Sequence, residues 1–275
     1  MSEQTFRHAW QEPDHADIFD ATATFSLTEL RHHYEGFNEF NLLMAHKKSI
    51  SEHDFVEIGC ATGELYRYLS AYHPEFNYRG FDISRPAIER AHQKYQHGIF
   101  EVCKPDLSDL ITENFSPGVV WSRDVIHHQP NPFDYLSKLL SISNEVTIIR
   151  TRTRDKGASV LDPEMSCQLQ YNSWVPYLIF NTDELVKAIC EIISVKRMFV
   201  YKHYMQLGGL HNRFVPKDCY LSETGTAETA LYIVRSKNSD TSPHVSVSST
   251  NESRPPKHDP LWIRGLRYFC RKLIM

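Results

Sequence analysis

The stretch Asp54-Phe55-Val56-Glu57-Ile58-Gly59-Cys60-Ala61-Thr62-Gly63-Glu64-Leu65 limits the fold of this chain more than any other. It reads as a short buried strand closing on an acid, a turn with two glycines, and a helix through Tyr66, Leu69 and Tyr72. Glycine suits such a turn because the backbone must approach a ligand closely or take φ > 0, where a Cβ would clash. Amides at the start of the helix then face whatever polar group lies there. The spacing is not G-x-G-x-x-G, so the dinucleotide fingerprint of nicotinamide-dependent oxidoreductases is missing from it. An ordinary strand–turn–helix with a packing glycine is the other reading of the same residues.

The chain beyond this helix repeats the unit. Tyr78-Arg79-Gly80-Phe81 reads as a second strand ending in Asp82, placed 23 residues after Gly59. An acid at that distance suits the paired hydroxyls of a ribose, although it also suits a helix cap. Ser84-Arg85-Pro86 then opens a helix, with serine as cap and proline in the first turn. A third strand spans 99–103 and leads to Asp106 and Leu107. A fourth, 118–122, leaves through Arg123-Asp124-Val125-Ile126-His127-His128 and a proline-containing turn into a helix. The fifth covers 146–149 and exits through Arg150-Thr151-Arg152-Thr153-Arg154. Strands alternating with helices demand a parallel sheet with right-handed crossovers. After the fifth strand the alternation stops. Residues 151–181 form a long aromatic-rich connection, Asn181 opens a further helix with capping chemistry, and strands at 195–201 and 230–234 flank an irregular stretch at 202–229. Upstream, 27–48 carries the apolar spacing of one helix, with Tyr34 and Phe37 placed to cover a cleft or merely to pack on the sheet.

The segment Glu57-x-Gly59-Cys60-x-Thr62-Gly63 resembles motif I of the class I S-adenosylmethionine (SAM) dependent methyltransferases, with Ala61 where that family commonly has glycine. The exit of strand four is similar to the family's motif IV, and Asp82 and Asp106 fall between them in the family's order. The resemblance implies a Rossmann-like α/β fold, a seven-stranded, mostly parallel sheet of order 3-2-1-4-5-7-6 with helices on both faces. It implies SAM as methyl donor. Glu57 would lie near its ammonium, and Gly59, Cys60, Thr62 and Gly63 against its amino-acid portion. Asp82, with Ile83 beside it, would hold the ribose, Asp106 and Leu107 the adenine, while Ser122 and Arg123 line the cleft. His128 is the first candidate base and His127 the second, since histidine titrates near neutrality; each has a purely structural reading as a loop anchor. His203 and His211 are weaker candidates.

Composition narrows the acceptor. A net charge of −4 gives no basic field of nucleic-acid scale, so a small-molecule or glycan acceptor is expected and no nucleic acid; a histidine base suits a hydroxyl nucleophile, so methylation at oxygen is expected. Six scattered cysteines without C-x-x-C spacing argue for reduced thiols in a cytoplasmic setting and against a zinc site. No carboxylate cluster or H-E-x-x-H suggests any other metal. The polar N-terminus carries no secretory signal pattern, and no apolar run approaches the ~20 residues that span a bilayer.

The expected organisation is therefore an N-terminal segment and covering helix (1–49), a methyltransferase domain (50–235) with acceptor-side inserts at 151–181 and 202–229, a disordered Ser/Thr/Pro linker (236–260) and a basic amphipathic helix (261–275). Trp262, Leu266, Phe269 and Leu273 share one face of that last helix, with Arg264, Arg267 and Arg271 opposite. It suits an anionic membrane surface, a protein partner, or its own domain. A catalytically silent scaffold that docks through this helix is the alternative function.

Overall fold

Ser26 caps the first helix, α1 (Leu27–Glu35), through a reciprocal pair of bonds with Glu29, and Gly36 ends it. The computed structural model describes residues 10, 24–50, 53–112, 115–170, 173–208, 212–219, 225–237 and 243–250. A second helix, α2 (Asn38–His46), starts after Phe37. The single helix expected over 27–48 is thus two. Glycine is a poor helix residue, and the extended backbone at Phe37 redirects the chain so that both pieces lie on the sheet.

The alternation then runs β1 (Asp54–Ile58), α3 (Glu64–Tyr72), β2 (Asn77–Asp82), α4 (Arg85–Lys94), β3 (Ile99–Val102), β4 (Val119–Arg123), α5 (Pro132–Ile142) and β5 (Val146–Arg154). The acceptor-side segment contributes β6 (Cys167–Gln170), β7 (Ser173–Pro176) and β8 (Phe180–Asn181) before α6 (Thr182–Ile192), whose N-cap Asn181 accepts from two amides. The last strands are β9 (Val195–Tyr204), β10 (Arg213–Phe214), β11 (Ala227–Arg235) and β12 (His244–Thr250).

The main sheet has the order β3-β2-β1-β4-β5-β11-β9-β12, with β8 pairing β5 off that path. For the seven anticipated strands this is the expected order, with β11 antiparallel to both neighbours. Three elements depart from expectation. The Arg/Thr run 150–154 is not an exit loop but the second half of β5, with 150–153 paired residue for residue with β11 and Arg154 paired with Asn181 of β8. The segments around 167–176 and 213–214 build a small antiparallel sheet, β10-β6-β7, where irregular connections were expected. Within 236–260, anticipated as a disordered linker, 244–250 pairs in parallel with β9 as an edge strand; its β-branched residues fit a pleated surface despite the serine-rich composition. Residues 261–275 lie outside the described residues, as does most of the segment before α1.

Successive residues of β1 face opposite layers. Phe55 joins Phe40, Tyr68, Trp121 and Tyr232 under α1–α3. Val56 joins Leu136, Leu139, Ile189 and Met198 under α5 and α6. Each fully buried side chain of this kind contributes roughly 1.5–3 kcal/mol, and the two layers hold the carboxyl ends of β1, β2, β4 and β5 at one rim.

Candidate functional site

The glycine turn after β1 is built by backbone geometry. Gly59 and Gly63 both sit at φ +84°. A Cβ on Gly59 would meet Val125 Cγ2 at 2.5 Å, and one on Gly63 the Phe100 ring at 2.7 Å. The Gly59 and Cys60 amides both donate to the Phe81 carbonyl, at 2.7 and 3.1 Å, which locks the turn to the end of β2. Ala61 also takes a positive φ, +48°; this is where the resembled motif favours glycine. The strain is held by Asp82, whose Oδ2 accepts from the Ala61 amide at 2.9 Å while Oδ1 accepts from Ser84 at 2.8 Å. Burial raises the Asp82 pKa, against the backbone donors of Ser84, Ala61 and Ile83. A carboxylate offers about four lone-pair directions, more than these three donors use. Thr62 is buried in the turn, and Gly63 starts α3 with no side-chain cap, so the amides there are left to other acceptors.

Glu57 is the acid at the end of β1. Tyr78 donates to its Oε2 at 2.5 Å. Burial lifts its pKa to about 7, with Tyr78 and Arg123 opposing the rise and Asp82 adding to it. Arg123, at the end of β4, lies under the N-terminal helices: its guanidinium is 4.2 Å from the Phe37 ring centre and 5.8 Å from that of Tyr34. Burial lowers its pKa, and neighbouring Arg150 lowers it further. Tyr34 and Phe37 are almost wholly buried. Ser122 is buried beside Arg123. Leu107 is buried at φ +59°, whereas Asp106 is half exposed and turned to the Ser108 amide and Lys138.

The exit of β4 forms a single 3₁₀ turn, Ile126–His128. His128 Nδ1 donates to the Pro176 carbonyl at 2.6 Å, which fixes the neutral tautomer with Nε2 as the acceptor nitrogen. Burial lowers its pKa to about 4, although the Pro176 bond works the other way. The Trp10 ring lies 4.8 Å from the His128 ring. His127 is turned inward, with Thr151 Oγ1 3.5 Å from its Nδ1 and its own carbonyl accepting from Leu178. Burial drives its pKa well below the usual value, and at 1% exposure it meets no solvent-open cleft. His203 sits within β9, opposite Glu228 in the ladder, and His211 lies outside the described residues.

Sequence reasoning missed the charged network behind this rim. Asp124, at φ +62°, receives Arg152 Nη1 at 2.8 Å and Arg150 Nε at 3.0 Å. Glu228 of β11 faces both arginines at 3.2 and 3.4 Å, and Glu39 of α2 lies 3.6 Å from Arg150. Arg152 Nε donates to the Tyr177 hydroxyl at 3.0 Å, and Arg213 stacks on the Tyr177 ring at 4.5 Å. Burial alone would raise the Asp124 pKa, yet Arg150 and Arg152 hold it well below the usual carboxylate range. Arg150, Arg152 and Arg154 are buried ion-pair members rather than residues of an open exit. The signal for Asp124 was its place directly after Arg123. Nothing in the sequence marks Glu39 or Glu228 as its neighbours. Among the described residues no group of His, Cys, Asp and Glu is arranged to hold a metal ion.

Residues 56–144 match the family model of a methyltransferase domain. No curated protein matches the sequence. Among solved structures, the magnesium protoporphyrin IX methyltransferase of Synechocystis PCC 6803 with bound SAM aligns over 86% of this chain and 98% of its own, at 15% identity and a TM-score of 0.50. The plantazolicin methyltransferase in complex with SAH (S-adenosylhomocysteine) aligns over 85% of this chain and 95% of its own, at 18% identity and a TM-score of 0.50. These likenesses establish the fold.

Proposed function

We propose, from the match of residues 56–144 to the model of a methyltransferase domain, that the chain transfers a methyl group from SAM to the oxygen of a small-molecule or glycan acceptor. The observation that carries the reading is the Asp82-held turn, with its two left-handed glycines and the buried Glu57 beside it. The residues present fit the donor. Asp82 has lone pairs for ribose hydroxyls, the turn leaves room where a Cβ would intrude, and Glu57 gains from a neighbouring ammonium that offsets its burial. Gly59, Cys60, Thr62 and Gly63 present backbone to the amino-acid portion. Ile83 and Leu107 present apolar surface to the adenosine, with Asp106 at the outer rim and Ser122 and Arg123 closing the floor. SAM supplies a methyl group on a sulfonium, already a strong electrophile.

The remaining task is positioning and proton removal. His128 presents Nε2 as a neutral base whose orientation is set by Pro176. SAM bound there would supply the methyl group to the acceptor oxygen, and His128 Nε2 would take the hydroxyl proton. His127 is the packing residue behind it. His128→Ala is expected to lower turnover roughly 100-fold with SAM affinity unchanged; full turnover with an unaltered pH profile removes the base assignment. Labelled SAM incubated with a metabolite extract, read by mass spectrometry for products heavier by one methyl, tests the reaction itself. Against the scaffold alternative, calorimetric titration is decisive: absence of SAM binding favours a silent fold. The intact Asp82–Ala61 contact supports retained binding.

A further inference from the structure

The small sheet brings one arginine to the side of the proposed base. In register, Gln168 of β6 pairs with both Val175 of β7 and Arg213 of β10, so these three side chains share a face. Val175 is fully buried, which marks that face as the inner one. β7 ends in Pro176, whose carbonyl orients His128. The next residue, Tyr177, is common to the base and the arginine: its ring lies 6.1 Å from the His128 ring and 4.5 Å from the Arg213 guanidinium carbon.

Arg213 differs from the arginines of β5 in what answers its charge. Arg150 and Arg152 lie against Asp124 and Glu228, and Arg154 against Asp218. Among the described residues no carboxylate forms an ion pair with Arg213. Its Nε is buried without an acceptor, and Nη1 reaches only the Leu207 carbonyl, at a long 3.4 Å. A buried donor lacking an acceptor is rare in a folded chain and costly. Burial lowers the Arg213 pKa; Tyr177 opposes that and the charge of Arg152 adds to it. A guanidinium with unused N–H groups beside a second cation is the arrangement that an incoming oxyanion relieves, because its fork matches two oxygens at once. The charge of that oxyanion follows from the cluster. Arg123, Arg150, Arg152 and Arg213 interact with Asp124, Glu39 and Glu228, which leaves one positive charge in excess once Glu57 is assigned to the donor's ammonium. A carboxylate balances that excess, whereas a phosphate monoester brings close to a second negative charge with no partner.

We propose that the acceptor carries a carboxylate, which Arg213 holds beside the Tyr177 ring so that a hydroxyl of the same molecule meets His128 Nε2. Anchoring one end of the acceptor in this way fixes the approach of the other to the base. That the bound molecule is a methyl acceptor rests on the methyltransferase reading; the carboxylate site does not.

The probe is benzoate, titrated calorimetrically into the full chain near neutral pH and at fixed ionic strength, without SAM. Its uncharged amide, benzamide, and phenyl phosphate are titrated beside it. Saturable benzoate binding is expected, with benzamide weaker by roughly tenfold or more and phenyl phosphate no tighter than benzoate. This comparison uses the wild-type chain and needs no variant to fold. Arg213→Gln should bind benzoate roughly tenfold more weakly, with SAM affinity unchanged and a thermal midpoint no lower than that of the wild type. Arg213→Lys should recover part of the affinity as a point charge. Three results overturn the inference: no benzoate binding, equal binding of benzoate and benzamide, or wild-type benzoate affinity in Arg213→Gln. Phenyl phosphate binding more tightly than benzoate overturns the assignment to a carboxylate. Passing the labelled products of the metabolite incubation over an anion exchanger separates the two proposals. Label confined to the unretained fraction sinks only this one, and benzoate binding with no labelled product in any fraction sinks only methyl transfer.

Discussion

Glu57 has a carboxyl poised between its two charge states. Burial lifts its pKa from the ordinary carboxylate value to about 7, with Tyr78 opposing. A group whose folded pKa is raised stabilises the fold below its unfolded pKa, and that contribution is lost as pH rises through about 7. Binding runs the other way, because an ammonium ligand favours the ionised form. SAM affinity should therefore strengthen as pH rises from about 6 to 8, with proton release visible when calorimetry is repeated in buffers of different ionisation enthalpy. Glu57→Gln should flatten that dependence; a flat wild-type profile removes the pairing. The histidines have the opposite linkage. His128 and His127 are held neutral by burial, so between the folded and unfolded values the unfolded chain binds more protons. Their contribution is present above about pH 6.5, and His128's part is lost as pH falls toward about 4. The thermal midpoint of His128→Gln should consequently fall less on acidification than that of the wild type. At this scale the sequence was informative for backbone-defined positions: Gly59, Gly63 and Asp82 stand where their spacing put them. It was not informative for Tyr78, whose hydroxyl reaches Glu57 only because β1 and β2 pair in that register.

Strand β5 shows why elements were harder to read than residues. Its first half is apolar and was recognisable; its second half alternates Arg and Thr, which resembles an exposed exit. The period of two was there to see, but burial of Arg150 and Arg152 depends on Glu228, far along the chain, and on Asp124 across β4. A buried charge losing its partner costs about 3–5 kcal/mol, whereas replacing both partners by apolar groups is often near neutral. Glu228→Leu alone should thus lower stability by about that amount, leaving both arginines short of an acceptor. Arg152→Met/Glu228→Leu should recover a large part of the loss, read as a non-additive double-mutant cycle in urea unfolding. Additive losses would mean that the pair is solvated rather than buried. The same logic applies to α1 and α2: Gly36 was visible as a weak helix position, but the contact of Phe37 with Arg123 that exploits the break depends on the distant β4.

At the scale of the whole molecule, topology was legible because parallel strands need crossovers and the crossovers here are helices with plain apolar periodicity. The order of seven strands emerges once β11 is recognised as the antiparallel insert. The eighth, β12, was hidden by serine-rich flanks, and its pairing gives it little apolar burial to advertise: Val245 and Val247 are 37% and 59% exposed. Its physical role is therefore in hydrogen bonding, covering the outer edge of β9 from His244 to Thr250. An uncovered edge of that length is a template for pairing with another chain. A chain ending at residue 237 should unfold at nearly the same urea concentration as one ending at 250, since both retain the two apolar layers. It should nevertheless self-associate with rising concentration in sedimentation velocity, while the chain ending at 250 stays monodisperse. Ending both chains before the basic segment keeps membrane and tail effects out of the comparison. Equal sedimentation at all concentrations would mean that β9 is protected without β12, leaving the strand as a tether for the basic segment beyond it.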